Sequence, residues 1–469
     1  MTSWARPEFT SVAELRGPLM IVRGVHGVGW DEFATIRFGD PNLGSADGRD
    51  MQVRHGLVLE TSGDLAVVQV LEGTAGMEPA VTRVEFSGSP LRIPVGPGWL
   101  GRVCNGRGEP IDGGPPVTGS QTAPVAGYPI SPAARQPPAE PVLTGVSVID
   151  ALTTLVRGQK LPIFSVAGLP HLELATQLAA QAAAGNKPFS VVFAAMGPTH
   201  ADAAAIREAL EERSAAGELV LLLNKADEPV IERILTPRLA LTVAEHLAFA
   251  LGRHVLVVMA DMTSYCEALR EVSAARGEIP ARRAYPGYLY SDLASLYERC
   301  GRIRGLPGSV TQVPVLTMPA GDITHPVPDL TGYITEGQIV LDPDLHARGI
   351  YPPVDALSSL SRLMRHGAGP GRTRTDHLDV AAQMLAALAG ARRARELAEL
   401  IGGAALSDSD RRYRELERAF QEKLVNQGPR EARSLAETLR LAWQVLAVLP
   451  RRELAMLPAE ALDTYYPRQ

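Results

Sequence analysis

One stretch of the chain has the order of a phosphate-binding loop: Leu161–Gln177, with the sequence LPIFSVAGLPHLELATQ. An apolar run leads into a tight turn at Gly168-Leu169-Pro170, and an apolar helical segment follows. In a working loop of this kind, backbone N–H groups and a lysine bind phosphate, and a hydroxyl side chain binds Mg²⁺. His171 stands near the position of the lysine, and Leu172 follows where the hydroxyl is needed. The sequence therefore predicts a nucleotide cradle without its phosphate and metal chemistry.

Two other strand ends bear on the same chemistry. Asp261 follows the apolar run His254–Ala260, as does the carboxylate that reaches metal-bound water in nucleotide hydrolases. The alternative is a helix N-cap, because Met262-Thr263 begin a helical segment. At the end of Ser190–Ala195 a hydrolytic site would need a carboxylate to orient water, and the chain has Met196 there. The predicted site thus lacks the groups that hydrolysis requires.

The segment Tyr351–Met364, YPPVDALSSLSRLM, is suited to presenting a cation. Its prolines, Pro352-Pro353, restrict the backbone. The polar residues that can cap or brace the turn are Asp355, Ser358, Ser359 and Ser361. An arginine on so rigid a segment, Arg362, can meet a phosphate with little loss of conformational entropy. An internal ion pair is the alternative for this arginine.

The elements that must position these groups lie between about 145 and 340, where apolar runs alternate with helical segments. The runs are Leu161–Val166, Ser190–Ala195, Leu219–Leu223 and His254–Ala260. The helical segments include His171–Ala184, Ala201–Ser214, Pro237–Leu251 and Thr263–Arg276. Continuous apolar strands are typical of a parallel sheet covered on both faces, and the spacing favours right-handed βαβ crossovers.

The flanking regions predict two further domains. Residues 1–90 contain short apolar strands between Gly, Asp and Ser turns, which suggest a small barrel or sandwich. The stretches Gly101–Pro116 and Ser131–Pro141 are rich in turn residues and indicate a boundary between domains. The predicted division is therefore 1–90, 91–370 with a turn-rich first part at 91–145, and 371–469.

Beyond Gly371 the pattern predicts a helical bundle. The expected helices are Asp376–Leu388, Ala391–Ile401, a charged helix capped by residues of Ser407–Asp410 and running through Phe420, and a last long segment. Gly402-Gly403 is the expected C-cap of the second. In the last segment one helical face carries Leu435, Leu439, Leu446 and Leu449. This face is expected to pack inside the bundle.

Composition excludes several classes of protein. The chain has 469 residues, 45% of them hydrophobic and 21% charged, which is ordinary for a globular protein of two to four domains. With 46 basic and 52 acidic residues its net charge is −6, which argues against nucleic-acid binding. Cys104, Cys266 and Cys300 lie far apart in no metal-ligand spacing and predict reduced thiols of a cytoplasmic protein. No apolar run reaches 18 residues, so any membrane role is expected to be peripheral.

Long motifs spread along the chain carry a family resemblance. PPVDALSSLS matches the signature shared by the α and β subunits of rotary ATPases. Further matching segments are GRVCNGRGEPIDGGPP, TGVSVIDALTTLVRGQKLPIFS, GLPHLELA, YPGYLYSDLASLYERCGRIRG and HPVPDLTGYITEGQI. Together, from about residue 10 to about residue 450, they resemble the non-catalytic B subunits (β chains) of V-type and archaeal-type ATPases and ATP synthases.

The resemblance implies an architecture and a set of partners. The fold would be an N-terminal β-barrel, a central RecA-like parallel-sheet domain and a C-terminal helical bundle. Three such subunits would alternate with three catalytic A subunits around a central rotor shaft, with peripheral stalk subunits outside. The complex would be cytoplasmic and peripheral to the cell membrane. This chain would bind no cofactor tightly, and ATP or ADP with Mg would occupy the interface with the A subunit.

The resemblance also implies roles for individual residues. Gly168, Leu169, Pro170 and His171 would form a degenerate phosphate loop, and Asp261 would be a Walker-B-like residue. The family usually has Asn after GLPH, where this chain has Leu172. Arg362 would project into the neighbouring A-subunit site as an arginine finger. The structural signature around it would comprise Pro353, Asp355, Ser359 and Ser361.

Three functions follow from these observations. The leading one is a non-catalytic, regulatory subunit of a rotary ATPase or ATP synthase that moves protons or sodium ions. The second is a catalytic rotary-type NTPase subunit, which the missing lysine and the missing glutamate after Met196-Gly197 oppose. The third is a purely structural ring member, and Arg362 distinguishes it from the first.

Overall fold

Alternating apolar residues build the first domain as an antiparallel sheet. The computed structural model describes residues 7–39, 51–185, 187–401 and 406–467. Its first strands are β1 (Glu8–Phe9), β2 (Val12–Arg16), β3 (Leu19–Val22), β4 (Glu32–Phe38), β5 (Gln52–Ser62), β6 (Leu65–Val70) and β7 (Arg83–Pro90). They pair in the order β1-β7-β4-β5-β6-β3-β2. Every second side chain of β4 is buried, as expected for a strand with one face on the core.

Longer apolar runs build the central domain. Its strands are β8 (Arg92–Val95), β9 (Val103–Asn105), β10 (Gln121–Pro124), β11 (Arg135–Gln136), β12 (Pro141–Val142), β13 (Leu155–Val156), β14 (Ile163–Ser165), β15 (Phe189–Met196), β16 (Leu219–Asn224), β17 (His254–Ala260), β18 (Gly301–Ile303), β19 (Ser309–Thr317), β20 (Gly337–Leu341) and β21 (Val354–Ser361). Its helices are α1 (Ser147–Leu152), α2 (His171–Gln181), α3 (His200–Ala209), α4 (Glu211–Ala215), α5 (Val230–Glu245), α6 (Met262–Ala275), α7 (Leu289–Tyr297), α8 (Pro326–Ile334), α9 (Pro343–Ala347) and α10 (Met364–Gly367).

The principal sheet of this domain has ten strands, with the path β21-β20-β14-β19-β17-β15-β16-β9 and the pair β11 and β18 beside β19. Neighbours from β20 to β9 are parallel, whereas β21 lies antiparallel on β20 at the edge. Side chains of β15 alternate between two cores. Phe193 faces α2 and the C-terminal helices, and Val192 faces α5 and α6. Both faces are therefore covered, as the continuous apolar strands predicted.

The last domain is helical. Its helices are α11 (His377–Ile401), α12 (Asp408–Ala419), α13 (Leu435–Leu446) and α14 (Ala459–Tyr465). Ser407 accepts from the Asp410 N–H in a capping box, as expected for a helix that begins at this point. Leu439, Leu446 and Leu449 are fully buried in the core that also covers one face of the central sheet. The predicted order of a β domain, a parallel-sheet domain and a helical domain is confirmed.

Three helix predictions were wrong, and the first of them, Ala201–Ser214, is two helices, α3 and α4. The helix expected to begin at Pro237 begins at Val230, with Pro237 buried inside it. Packing of α5 on the sheet outweighs the cost of an interior proline, about 3 kcal/mol. The two helices expected at Asp376–Leu388 and Ala391–Ile401 are one helix, α11. The expected C-cap at Gly402-Gly403 lies outside the described residues.

Gly390 explains why α11 continues where a break was expected. A Cβ at this position would lie 2.9 Å from Cε1 of Tyr413 on α12. The absent side chain thus allows close packing of two helices and does not end one.

Gly101–Pro116 was expected to be a boundary between domains, but this turn-rich stretch contributes β9 to the sheet beside β16. A three-residue strand between turns is too short to show a periodicity.

Two further features of the structure concern the cysteines and the possibility of a membrane-spanning helix. Cys104, Cys266 and Cys300 are free and buried. Among the described residues no helix is both long enough and apolar enough to cross a membrane.

The buried face of α13 yields a stability prediction. Leu439→Ala should lower the free energy of unfolding of the chain by about 2–5 kcal/mol, because it removes a fully buried side chain and leaves a cavity. Chemical denaturation followed by circular dichroism measures this. Leu400→Ala is the control, since that leucine is 83% exposed and should change little. Equal, small effects of both substitutions would contradict the packing described.

Candidate functional site

Three neighbouring parallel strands bring the predicted nucleotide residues to one edge of the sheet. β14 lies beside β19, and β19 lies beside β17. The loop after β14, Thr317 at the end of β19 and Asp261 after β17 therefore meet at the carboxyl ends of the strands. This is where ligands bind in open α/β sheets. Sequence reasoning placed the loop and Asp261 in one site, and the topology brings them together.

The loop at Gly168–His171 bonds to itself. The Leu169 N–H donates to the Val166 carbonyl at 3.1 Å, and the His171 N–H donates to the Leu169 carbonyl at 2.8 Å. His171 Nδ1 lies 2.8 Å from the same carbonyl oxygen. Pro170, the N-cap of α2, has no N–H. Two N–H groups of the turn are thus already bonded within it, and Pro170 has none to donate.

Leu172 and Gly168 contribute packing and backbone conformation to this loop. Leu172 is half-buried and packs against the core beneath one face of the sheet. Its side chain therefore adds apolar packing at a position where a metal-binding loop has a hydroxyl. Gly168 has a φ of +89°, a left-handed conformation that glycine adopts without steric cost.

Asp261 caps a helix. Its Oδ1 accepts from the Thr263 N–H at 2.8 Å, and its Oδ2 accepts from Thr317 Oγ1 at 2.8 Å. Thr263 Oγ1 in turn donates to the Thr317 carbonyl at 2.7 Å. Burial raises the pKa of Asp261, while its hydrogen bonds and nearby His171 oppose that rise. The N-cap alternative thus accounts for this carboxylate, and its Walker-B-like role stays a prediction.

The end of β15 carries a cation in place of a catalytic carboxylate. After Met196 the chain turns at Gly197, with a φ of +80°. A Cβ on Gly197 would lie 3.1 Å from Ser264 Oγ and 3.6 Å from Arg233 Cζ. Arg233 Nε donates to Asn224 Oδ1 at 2.8 Å. Sequence reasoning missed Arg233, which no motif marks and which is one of several charged residues in its helix.

Burial lowers the pKa of Arg233, and Glu271 and Glu228 oppose this effect. The described ranges contain no group of three or more His, Cys, Asp or Glu side chains that could hold a metal ion. The carboxyl edge of the sheet thus brings together the elements of a nucleotide site, and Asp261, Arg233 and part of the loop are bonded within the chain.

The signature segment is braced from within. Asp355 Oδ1 accepts from the Leu357 N–H at 2.9 Å, and its Oδ2 accepts from the Ser358 hydroxyl. Ser359 Oγ donates to the Asp355 carbonyl at 2.6 Å and accepts from the Val340 N–H at 2.9 Å. The carbonyl of buried Pro353 accepts from the Asp342 N–H at 2.8 Å. These bonds give the predicted bracing residues definite partners.

Arg362 lies just beyond this braced strand and is exposed. Its N–H donates to the Glu336 carbonyl at 3.0 Å, and one guanidinium nitrogen lies 3.4 Å from the Thr335 carbonyl oxygen. Within the described part of the chain, no carboxylate forms an ion pair with it. The alternative of an internal ion pair is therefore not found among these residues.

Arg362 and the phosphate-like loop occupy different ends of the sheet. Ser361 pairs with Gly337, the first residue of β20, and β20 runs parallel to β14. The loop follows the opposite, carboxyl end of β14. Ile163 pairs with Ile339, so Gly337 lies level with Leu161. The distance along the strand from Leu161 to Ser165 is roughly 13 Å, at about 3.3 Å per residue. Arg362 is therefore not brought to the chain's own loop.

Each of the three domains of this chain matches a domain of known proteins. Residues 12–88, 145–361 and 366–466 match, in turn, the β-barrel domain of the ATP synthase alpha/beta family, its nucleotide-binding domain, and the C-terminal domain of V and A type ATP synthase. The B subunit of the A-type ATP synthase of Aeropyrum pernix is 50% identical over 463 residues, 98% of each chain. The solved ATP synthase subunit NeqB of Nanoarcheaum equitans is similar over 89% of this chain and 100% of its own, with 37% identity and a TM-score of 0.72.

The self-bonded loop yields a binding prediction. The isolated chain should bind ATP weakly, with an affinity that hardly changes when Mg²⁺ is replaced by EDTA, because neither a lysine nor a hydroxyl follows the turn. Isothermal calorimetry with and without Mg²⁺ measures this. Tight binding that depends strongly on Mg²⁺ would show that the loop rearranges into a working cradle.

Proposed function

The chain belongs to the ATP synthase alpha/beta family, and on that premise we propose that it acts as a non-catalytic B subunit of a V/A-type rotary ATPase or ATP synthase. The resemblance seen in the motifs is confirmed over 98% of the chain. In this role it regulates a complex that couples ATP synthesis or hydrolysis to proton or sodium transport. The complex is peripheral to the cell membrane on its cytoplasmic side.

The proposed partners follow from what this chain lacks. Its loop has no lysine, Pro170 at the N-cap of α2 has no N–H to donate, and the end of β15 carries no carboxylate. A catalytic site therefore needs a chain with a complete P-loop and a glutamate, the A subunit. Three copies of each would alternate in a ring around the rotor shaft, with stalk subunits outside. ATP or ADP with Mg would lie at the A–B interface.

The observation that carries the proposal is the position of Arg362. It is exposed and forms no ion pair among the described residues. It lies beside the first residue of β20, at the end of the sheet remote from the chain's own loop. Such an arginine is available to a neighbouring subunit. Negative charge on a transferring γ-phosphoryl group is well stabilised by a planar, permanently protonated guanidinium. We therefore assign Arg362 to the site of the adjacent A subunit.

The isolated chain should hydrolyse ATP no faster than background. The reason is the missing lysine beside His171 and the missing carboxylate after Met196. A steady-state assay on protein free of A subunits measures this. Mg-dependent turnover at about 1 s⁻¹, the low end of ordinary enzyme rates, would favour the alternative of a catalytic subunit.

Arg362→Ala should abolish turnover of the reconstituted ring while nucleotide binding at the A–B interface persists. An arginine finger is typically worth about 10³–10⁵ in rate. Arg362→Lys should recover part of the loss, because lysine keeps the charge and loses the planar fork. Steady-state hydrolysis by assembled rings measures this, with native mass spectrometry to verify assembly.

Arg365→Ala provides a matched control. Arg365 is exposed three residues further along, on α10, and its removal should leave turnover within about threefold of the unaltered ring. If the Arg362→Ala ring assembles and also keeps its turnover within threefold, a purely structural ring member becomes the better account of this chain.

A further inference from the structure

The side chain of Gln159 forms hydrogen bonds beside the backbone of Arg362. Gln159 lies 202 residues before Ser361, to which it donates. The Glu336 carbonyl accepts from the Arg362 N–H at 3.0 Å and also from Gln159 Nε2 at 3.2 Å. The same Gln159 nitrogen donates to Ser361 Oγ at 3.0 Å. One amide thus bonds to both strands whose ends meet beside the arginine.

Gln159 is itself fixed in place. It is fully buried, and its Oε1 accepts from the Val156 N–H at 3.0 Å. Ser361 Oγ, which accepts from the amide nitrogen, lies 3.2 Å from the Thr154 carbonyl and donates to it. Every polar atom of the Gln159 side chain therefore has a partner, which sets the direction in which its amide donates.

Lys160 bonds to the side chain of Glu336, the residue whose carbonyl accepts from Gln159 and Arg362. Its N–H donates to Glu336 Oε2 at 2.8 Å, and its Nζ lies 2.8 Å from Glu336 Oε1. The Nζ also donates to Glu298 Oε1 at 3.0 Å. The Lys160 side chain is only 6% exposed. Burial lowers its pKa, but Glu336 and Glu298 raise it more, so the ammonium stays charged.

The close approach of the two strands depends on Gly337. A Cβ at this position would collide with the Leu360 carbonyl oxygen. The Glu336 carbonyl and the Arg362 N–H can therefore approach only because no side chain stands between β20 and β21. Together Gln159, Lys160 and Gly337 leave little freedom to the backbone that carries the arginine.

We propose that Gln159, supported by Lys160, is a positioning residue for Arg362 and sets the angle at which its guanidinium enters the neighbouring subunit's phosphate site. This inference rests on the proposed function of Arg362 as a finger acting in trans. A cation that stabilises a transition state must be placed to within a fraction of an ångström, and a displacement of 1 Å can cost about 10²-fold in rate. Gln159 touches neither nucleotide nor phosphate in this scheme and acts through Arg362.

The first test is a mutant cycle in reconstituted rings. Gln159→Leu should lower kcat about tenfold to a hundredfold with KM for ATP unchanged. In rings that already carry Arg362→Ala, the same substitution should cause no further loss, since no finger remains to be positioned. Gln69→Leu is the matched control, because Gln69 is also a buried glutamine but lies on β6 of the N-terminal domain. An equal loss of kcat in both Arg362 backgrounds would overturn the inference.

A second measurement needs no catalysis. A nitroxide label on Arg362→Cys in the complete isolated chain reports backbone motion at that position. Cys104, Cys266 and Cys300 are buried, and burial raises the pKa of each thiol, so the label should react at residue 362. Gln159→Leu should broaden the motion of the label and Gln69→Leu should not. Unchanged motion in Gln159→Leu would overturn the positioning role.

The two measurements separate the inference from the function on which it rests. If Arg362→Ala rings turn over normally, the finger assignment fails, and the label still decides whether Gln159 orders residue 362. If Arg362→Ala abolishes turnover while Gln159→Leu changes neither kcat nor label motion, the finger stands and the positioning role of Gln159 falls.

Discussion

The burial of both faces of the central sheet is the constraint on which the rest of this structure depends. Side chains of β15 alternate between two apolar cores, with Phe193 on one side and Val192 on the other. A sheet covered in this way can present polar groups only where its strands end or along its outer strand. Function therefore has two places available: the loops at the carboxyl ends of the strands, and the edge strand β21.

At the first of these places several polar groups are bonded within the chain itself. Where a nucleotide hydrolase needs free donors, the loop after β14 bonds to its own carbonyls, and Asp261 caps α6. Ser264 and Arg233 crowd Gly197, where a water-orienting carboxylate would be required. These bonds satisfy buried polar groups that would otherwise carry a desolvation cost of about 1–3 kcal/mol each. The architecture of a nucleotide-binding domain persists because its core does not depend on the catalytic groups.

The second place is the edge strand, whose last residues lie at the opposite end of the sheet. β21 runs antiparallel to its neighbour, so its end lies beside the beginning of β20. Arg362 is consequently displayed at an outer edge of the domain, supported by a buried amide and a buried ammonium from a distant part of the chain. Under the proposed function, this domain lacks a catalytic site of its own and supplies a rigid cation to a neighbouring subunit. That division of labour would suit the proposed ring of alternating, unlike subunits.

Local sequence patterns determined much of this protein. The apolar run His254–Ala260 is a strand with those bounds, the missing lysine follows from the residue types alone, and the motifs around PPVDALSSLS indicate the family. Periodicity and motif spacing are properties of neighbouring residues, so they can be read without a structure. Tertiary contacts decided the rest. Pro237 lies inside a helix because α5 packs on the sheet, and α11 continues through Gly390 because Tyr413 fills the space beside it. The bond from Gln159 to Ser361 joins residues 202 positions apart, and only the pairing of strands brings such groups within reach of each other.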